Sequence, residues 1–71
     1  MSAPVKKFRI GLVTANVWEN EGTGNRKFHS VTLERSYKDD DEYKQTNSLM
    51  QSDLLNAAKV LKRAEEWIAT L

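Results

Sequence analysis

Three hydrophobic patterns follow one another along the chain. From Lys7 to Glu19 apolar and polar residues alternate, with one slip of phase. Phe8, Ile10 and Leu12 mark one side, and Val13, Ala15 and Val17 continue it one residue out of step. Alternation at period two is the mark of a half-buried strand. A β-bulge near Gly11–Val13 would hold all six apolar residues on the same side, leaving Lys7, Arg9, Thr14, Asn16 and Trp18 on the other. The polar, glycine-bearing stretch Glu19-Asn20-Glu21-Gly22-Thr23-Gly24-Asn25 reads as a loop. Lys27–Lys38 alternates again, with His29, Val31, Leu33, Arg35 and Tyr37 on one side and Phe28, Ser30, Thr32, Glu34 and Ser36 on the other. After a tight acidic turn at Asp39-Asp40-Asp41, Glu42–Leu49 predicts a third, antiparallel strand. The period then lengthens. Leu54, Ala57, Leu61, Ala64, Ile68 and Leu71, flanked by Ala58, Val60 and Trp67, recur at helical spacing. They predict a helix over 52–70, opened by Ser48 with Gln51 or by Ser52 with Asp53.

Register follows from the same pattern. With Trp18 opposite Phe28, Asn16 meets Ser30 and Thr14 meets Thr32, while Val17 meets His29, Ala15 meets Val31 and Val13 meets Leu33. One face is then apolar and the other polar, and a slip of one residue would mix them. Tyr37 opposite Tyr43 closes the next pair. The fold class is α+β: a three-stranded antiparallel β-meander followed by one C-terminal helix on one face. The chain forms one domain, with a flexible segment over 1–6, a sheet over 7–49 and the helix after it.

Size sharpens this picture. The 71 residues are 39% hydrophobic and include no cysteine. Below roughly 70–80 residues one core rarely supplies more than about 3–5 kcal/mol, so small chains add disulfides, metals or oligomerisation. With no thiols and a single histidine, oligomerisation is the route left. The apolar arc of the helix is also broader than three strands can cover. Its surplus, Val60 and Trp67, is assigned to an oligomer interface, most simply that of a homodimer.

Enzymatic chemistry finds no support in these residues. His29 points at the core, no Ser/His/Asp set is complete, and Gly22-Thr23-Gly24 lacks the continuation of a phosphate loop. Asp39-Asp40-Asp41-Glu42 is consecutive, where a calcium loop needs alternate ligands and a glycine at its sixth position, here Lys44. Neither metal nor cofactor is expected, and the chain is read as no enzyme. No apolar run approaches the roughly 20 residues of a membrane helix, and Met1–Lys7 lacks the apolar stretch of a secretory signal. A cytoplasmic protein without a membrane partner is expected.

Charge and aromatic placement suggest what the polar face does. The formal net charge is +1, but residues 1–38 carry +4 and residues 39–71 carry −3. Trp18 and Phe28 lie side by side near the hairpin tip, with Asn16, Ser30 and Thr32 below and Arg9, Arg26 and Lys27 nearby. Rings beside hydroxyls, amides and cations suit a single-stranded nucleic acid, since bases stack on the rings and cations meet phosphates. The same face would equally suit a protein partner or an accessory-subunit contact.

An antiparallel sheet followed by one helix, in a chain that must oligomerise, resembles the Whirly and PUR-alpha class of single-stranded nucleic acid binders. That likeness implies a sheet surface for binding and helices that help build a dimer. The class has four strands before its helix, where this sequence reads as three, and the Whirly KGKAAL-type segment is absent. The tract Gly11-Leu12-Val13-Thr14-Ala15-Asn16-Val17-Trp18-Glu19-Asn20, with Phe28-His29-Ser30-Val31-Thr32, is similar to a small family of bacterial proteins, and no site residue is carried over from it.

Overall fold

In the computed structural model, which describes residues 3–71, the slip of phase between Ile10 and Val13 has a simple origin. These two residues face each other across a two-residue turn, so β1 (Lys6–Ile10) and β2 (Val13–Glu21) are separate antiparallel strands. Gly11 holds the first central position at φ +60°, where a type II′ turn takes glycine. Such a turn sends its two flanking residues to one face, which is what the expected bulge was to do. Leu12 sits in the turn and not on the core face. The sheet therefore has four strands rather than three, in the order β1-β2-β3-β4. The segment before it is tied in as well. Val5 N–H donates to the Val17 carbonyl at 2.8 Å, and Lys6 belongs to β1; residues 1 and 2 of the expected flexible segment lie outside the described residues.

The other two hairpins keep their place but change register. Strand β3 (Lys27–Asp39) runs longer than expected, and β4 (Glu42–Thr46) ends sooner. Between them Asp40 and Asp41 adopt φ 48° and 66°, the pair of left-handed residues a type I′ turn needs and aspartate tolerates. Asp39 consequently faces Glu42, Tyr37 faces Lys44 and Lys38 faces Tyr43. The expected Tyr37–Tyr43 pair is off by one residue. It would have required a three-residue loop, whose left-handed position favours a glycine this turn lacks. On the β2–β3 hairpin each residue of β2 meets the β3 residue two places later than expected: Trp18 faces Ser30, Asn16 faces Thr32 and Val17 faces Val31. A shift of two preserves both faces, so the hydrophobic pattern alone does not distinguish the registers.

Strand β4 stops at Thr46, and Leu49 packs against the core from the connection to the helix. A single 3-10 turn, Gln51–Asp53, precedes α1 (Leu54–Ala69). Asp53 takes the capping role expected of Ser48 or Ser52. Its Oδ2 accepts from Met50 N–H at 2.9 Å and from Arg35 Nε at 2.6 Å, which fastens the start of the helix to the middle of β3. Asp53 is buried and Arg35 largely so.

The helix lies mainly on β1 and β2 and touches β3 little. Its Ala57, Val60 and Ala64 are buried against Val13, Ala15 and Val17. Val60, expected at an oligomer interface, is fully buried in its own protomer. The separate first strand widens the floor under the helix, so this part of the apolar surplus is consumed within the chain. Beyond the helix, β2 and β3 continue as a two-stranded ribbon, and the molecule measures 46 × 27 × 15 Å. Among the described residues, no helix is long and apolar enough to cross a membrane.

Two substitutions test this frame. Asp53→Ala removes the cap and strands the Arg35 guanidinium, and a loss of about 2 kcal/mol in urea unfolding is expected. Gly11→Ala places a methyl at positive φ, 3.0 Å from Asn56 Nδ2, and should lower stability by about 1–2 kcal/mol.

Candidate nucleic-acid interface

Because α1 covers one side of the sheet, the opposite side has no layer over it among the described residues. Strand register assigns its residues: Lys7 and Arg9 on β1, then Thr14, Asn16, Trp18 and Asn20 on β2. Phe28, Ser30, Thr32, Glu34, Ser36 and Lys38 follow on β3, with Tyr43 and Gln45 on β4. The expected constellation of Trp18, Asn16, Ser30, Thr32, Phe28 and Arg9 is thus on one face. Lys27 is not. It projects on the helix side, where its Nζ lies 3.1 Å from Glu19 Oε1. Arg26 sits in the turn that Gly22 N–H closes by donating to the Arg26 carbonyl at 2.8 Å.

Six polar side chains of this face are paired with one another, in a regular way. Trp18 Nε1 donates to Thr32 Oγ1 at 2.9 Å, Asn16 Nδ2 to Glu34 Oε1 at 3.1 Å and Asn20 Nδ2 to Ser30 Oγ at 3.0 Å. Each bond joins a β2 residue to the β3 residue two places beyond its backbone partner, so the three run diagonally as parallel rungs. At the tip, the Phe28 ring takes the corresponding diagonal place over Gly22, within 3.6 Å of where a Cβ would stand.

This geometry changes the roles open to individual residues. Asn16 is 5% exposed and its Oδ1 is buried without a partner, so it is closed to a ligand. Trp18 is half-buried, not free-standing. Phe28 is 54% exposed and Tyr43 78%. Tyr43 was missed because Tyr37 was expected opposite it, one residue off the observed β3–β4 register; the absence of glycine in Asp39-Asp40-Asp41 was the available signal, whereas Lys38 follows from the parity of β3 alone. Arg9 is exposed and bends its Nε to the Gly11 carbonyl at 3.0 Å. Lys38 is exposed beside the Asp41 carboxylate at 3.8 Å.

On the helix side, His29 faces Glu19 rather than Val17, with its Nε2 3.7 Å from a Glu19 oxygen. Trp67, also assigned to an oligomer interface, is half-buried and meets the His29 ring edge-on at 6.5 Å. Among the described residues no group of three or more His, Asp or Glu is gathered as for a metal ion. Comparison of the chain with family models, with curated proteins and with solved structures returns no match.

The diagonal bonds should be measurable as coupling. A double-mutant cycle on Trp18→Phe and Thr32→Val should return about 0.5–1.5 kcal/mol in unfolding free energy. Trp18→Ala should cost about 1–2 kcal/mol, more than an exposed surface substitution does.

Proposed function

We propose that this chain is a non-catalytic binder of single-stranded DNA or RNA, acting as a homo-oligomer through the uncovered face of its sheet. The observation that supports this is the exposure of Phe28 and Tyr43 on a face without a covering layer. Trp18 lies on the same face, as do the cations Lys7 and Arg9. Its glutamate, Glu34, is engaged by Asn16. Base stacking needs flat rings reachable from solvent, and phosphates need cations at the margin of the platform. Ser30 and Thr32 are exposed and offer hydroxyl oxygens; Arg26 supplies a further cation at the tip.

A second reading, in which the same face docks a protein, is favoured by the diagonal hydrogen bonds. They occupy the side-chain groups that would otherwise read base edges, leaving rings and hydroxyls for a less specific contact.

Anisotropy titrations of an end-labelled single strand separate the two. Phe28→Ala and Tyr43→Ala should each weaken binding about five- to hundredfold, the equivalent of roughly 1–3 kcal/mol per stacked base. Lys7→Ala and Arg9→Ala should weaken it for all sequences and flatten the salt dependence by about 0.7 per cation. Lys27→Ala, on the helix side, should change little. A wild-type chain that binds no single strand at low salt gives the face to a protein partner.

A further inference from the structure

Strand β4 ends at Thr46 opposite Arg35. From Lys27 to Glu34, β3 therefore has β2 on one side and, among the described residues, no strand of its own chain on the other. The phase of the backbone bonds fixes which groups face that open edge. Gly22 N–H donates to the Arg26 carbonyl and Ser36 N–H to the Leu12 carbonyl, so the even-numbered residues of β3 bond to β2. Lys27, His29, Val31 and Leu33 then turn their N–H and C=O groups outward. Native edges are usually blunted by charges, proline or bulges; the stretch from Phe28 to Leu33 has none of these.

An apolar groove of about 390 Å³ runs beside this edge on the helix side, lined by Val31, Leu61, Glu65, Ile68 and Ala69. On the uncovered side a notch of about 460 Å³ opens where β4 leaves the sheet, lined by Thr32, Glu34, Gln45 and Thr46 among others. The protomer also has surface to spare. Its accessible area is 5585 Å², where a compact monomer of this mass exposes about 4,500 Å². Its radius of gyration is 13.8 Å against about 11 Å for a compact chain. The excess is of the order of what one partner buries in a standard interface, about 800 Å².

We propose that a second copy of this chain pairs antiparallel on the open edge of β3, about a two-fold axis at Val31, joining the two sheets into one. This rests on the homo-oligomeric part of the function proposed above and names its interface. Two constraints bear on the pairing. The outward-bonding residues of one edge must meet the outward-bonding residues of the other, and both helices must lie on the same side of the joined sheet. Every two-fold antiparallel register meets both; centring it on Val31, the β3 residue that lines the apolar groove, brings the two grooves together and sets His29 against Leu33, Ser30 against Thr32 and Phe28 against Glu34. No like charges oppose each other within this span. One step further, Lys27 would meet Arg35, whose edge Thr46 already occupies, so the paired span fits the gap that β4 leaves. The partner's Phe28 then arrives beside Glu34, at the notch. The two apolar grooves face each other across the axis and bring Leu61 and Ile68 of both copies towards one seam.

The chain contains no cysteine, so single cysteines report the register directly. Hydrogen-bonded antiparallel partners stand about 5.5 Å apart at Cα, within disulfide range. Val31→Cys should form a covalent dimer on mild oxidation, while Ser30→Cys and Thr32→Cys should each fail alone and link when mixed. Efficient self-linking of Ser30→Cys with none for Val31→Cys would overturn the axis. Sedimentation velocity of the full chain should give a dimer mass. Leu61→Glu, at an exposed position, should raise the dissociation constant at least tenfold with the far-ultraviolet circular dichroism retained. A dimer that resists Leu61→Glu and yields no Val31→Cys link would overturn this interface and leave the oligomer standing. A wild-type monomer at micromolar concentration would overturn both.

Discussion

Val13, Ala15 and Val17 on β2 meet Ala57, Val60 and Ala64 on α1, and among the described residues these are the buried hydrophobic side chains. Alanine and valine are short, so the helix can settle close to the strand, but each contributes little apolar area. A core of this size leaves the rest of the fold under constraint. The turns must be tight, the helix must be fixed at its entry, and little strain can be tolerated elsewhere. The Asp53–Arg35 contact meets the second requirement by joining the turn that precedes the helix to β3, a strand the helix itself touches little. The left-handed residues at Gly11, Asp40 and Asp41 meet the first.

How much of this was legible in the sequence depended on what each pattern encodes. Alternation records which face a side chain takes, and it gave both faces of β2 and β3 correctly. It does not record which of two registers, two residues apart, the strands adopt. That choice belongs to the turn, and the Gly22–Arg26 connection closes later than the pattern implied. The slip between Ile10 and Val13 had two physical explanations, a bulge or a reversal, which leave Phe8, Ile10, Val13, Ala15 and Val17 on the same side and differ only for Leu12. Glycine at the first central position of a two-residue turn was the cue for the second. From that one substitution of turn for bulge came the fourth strand, the wider floor under α1, and the burial of Val60.

The candidate site was legible in part for the same reason. Trp18, Asn16, Ser30, Thr32, Phe28 and Arg9 were placed together because facing is a matter of parity. Lys27 was placed by proximity to the tip, where parity sends it to the other side and Glu19 holds it. Tyr43 was lost through a turn that differs by one residue. The burial of Asn16 could not be read at all, since it depends on the side chains of neighbouring strands lying over it.

The parallel rungs across β2 and β3 have a thermodynamic side. A side chain free to rotate in the unbound protein loses that freedom when a partner arrives, at a cost of about 0.5–1.5 kcal/mol for each rotamer-rich group. Trp18, Asn16, Asn20, Ser30, Thr32 and Glu34 are held by one another before any partner is present. A partner that settles on these rungs meets side chains whose freedom was lost when the chain folded, and the cost of ordering falls on the exposed Phe28 and Tyr43.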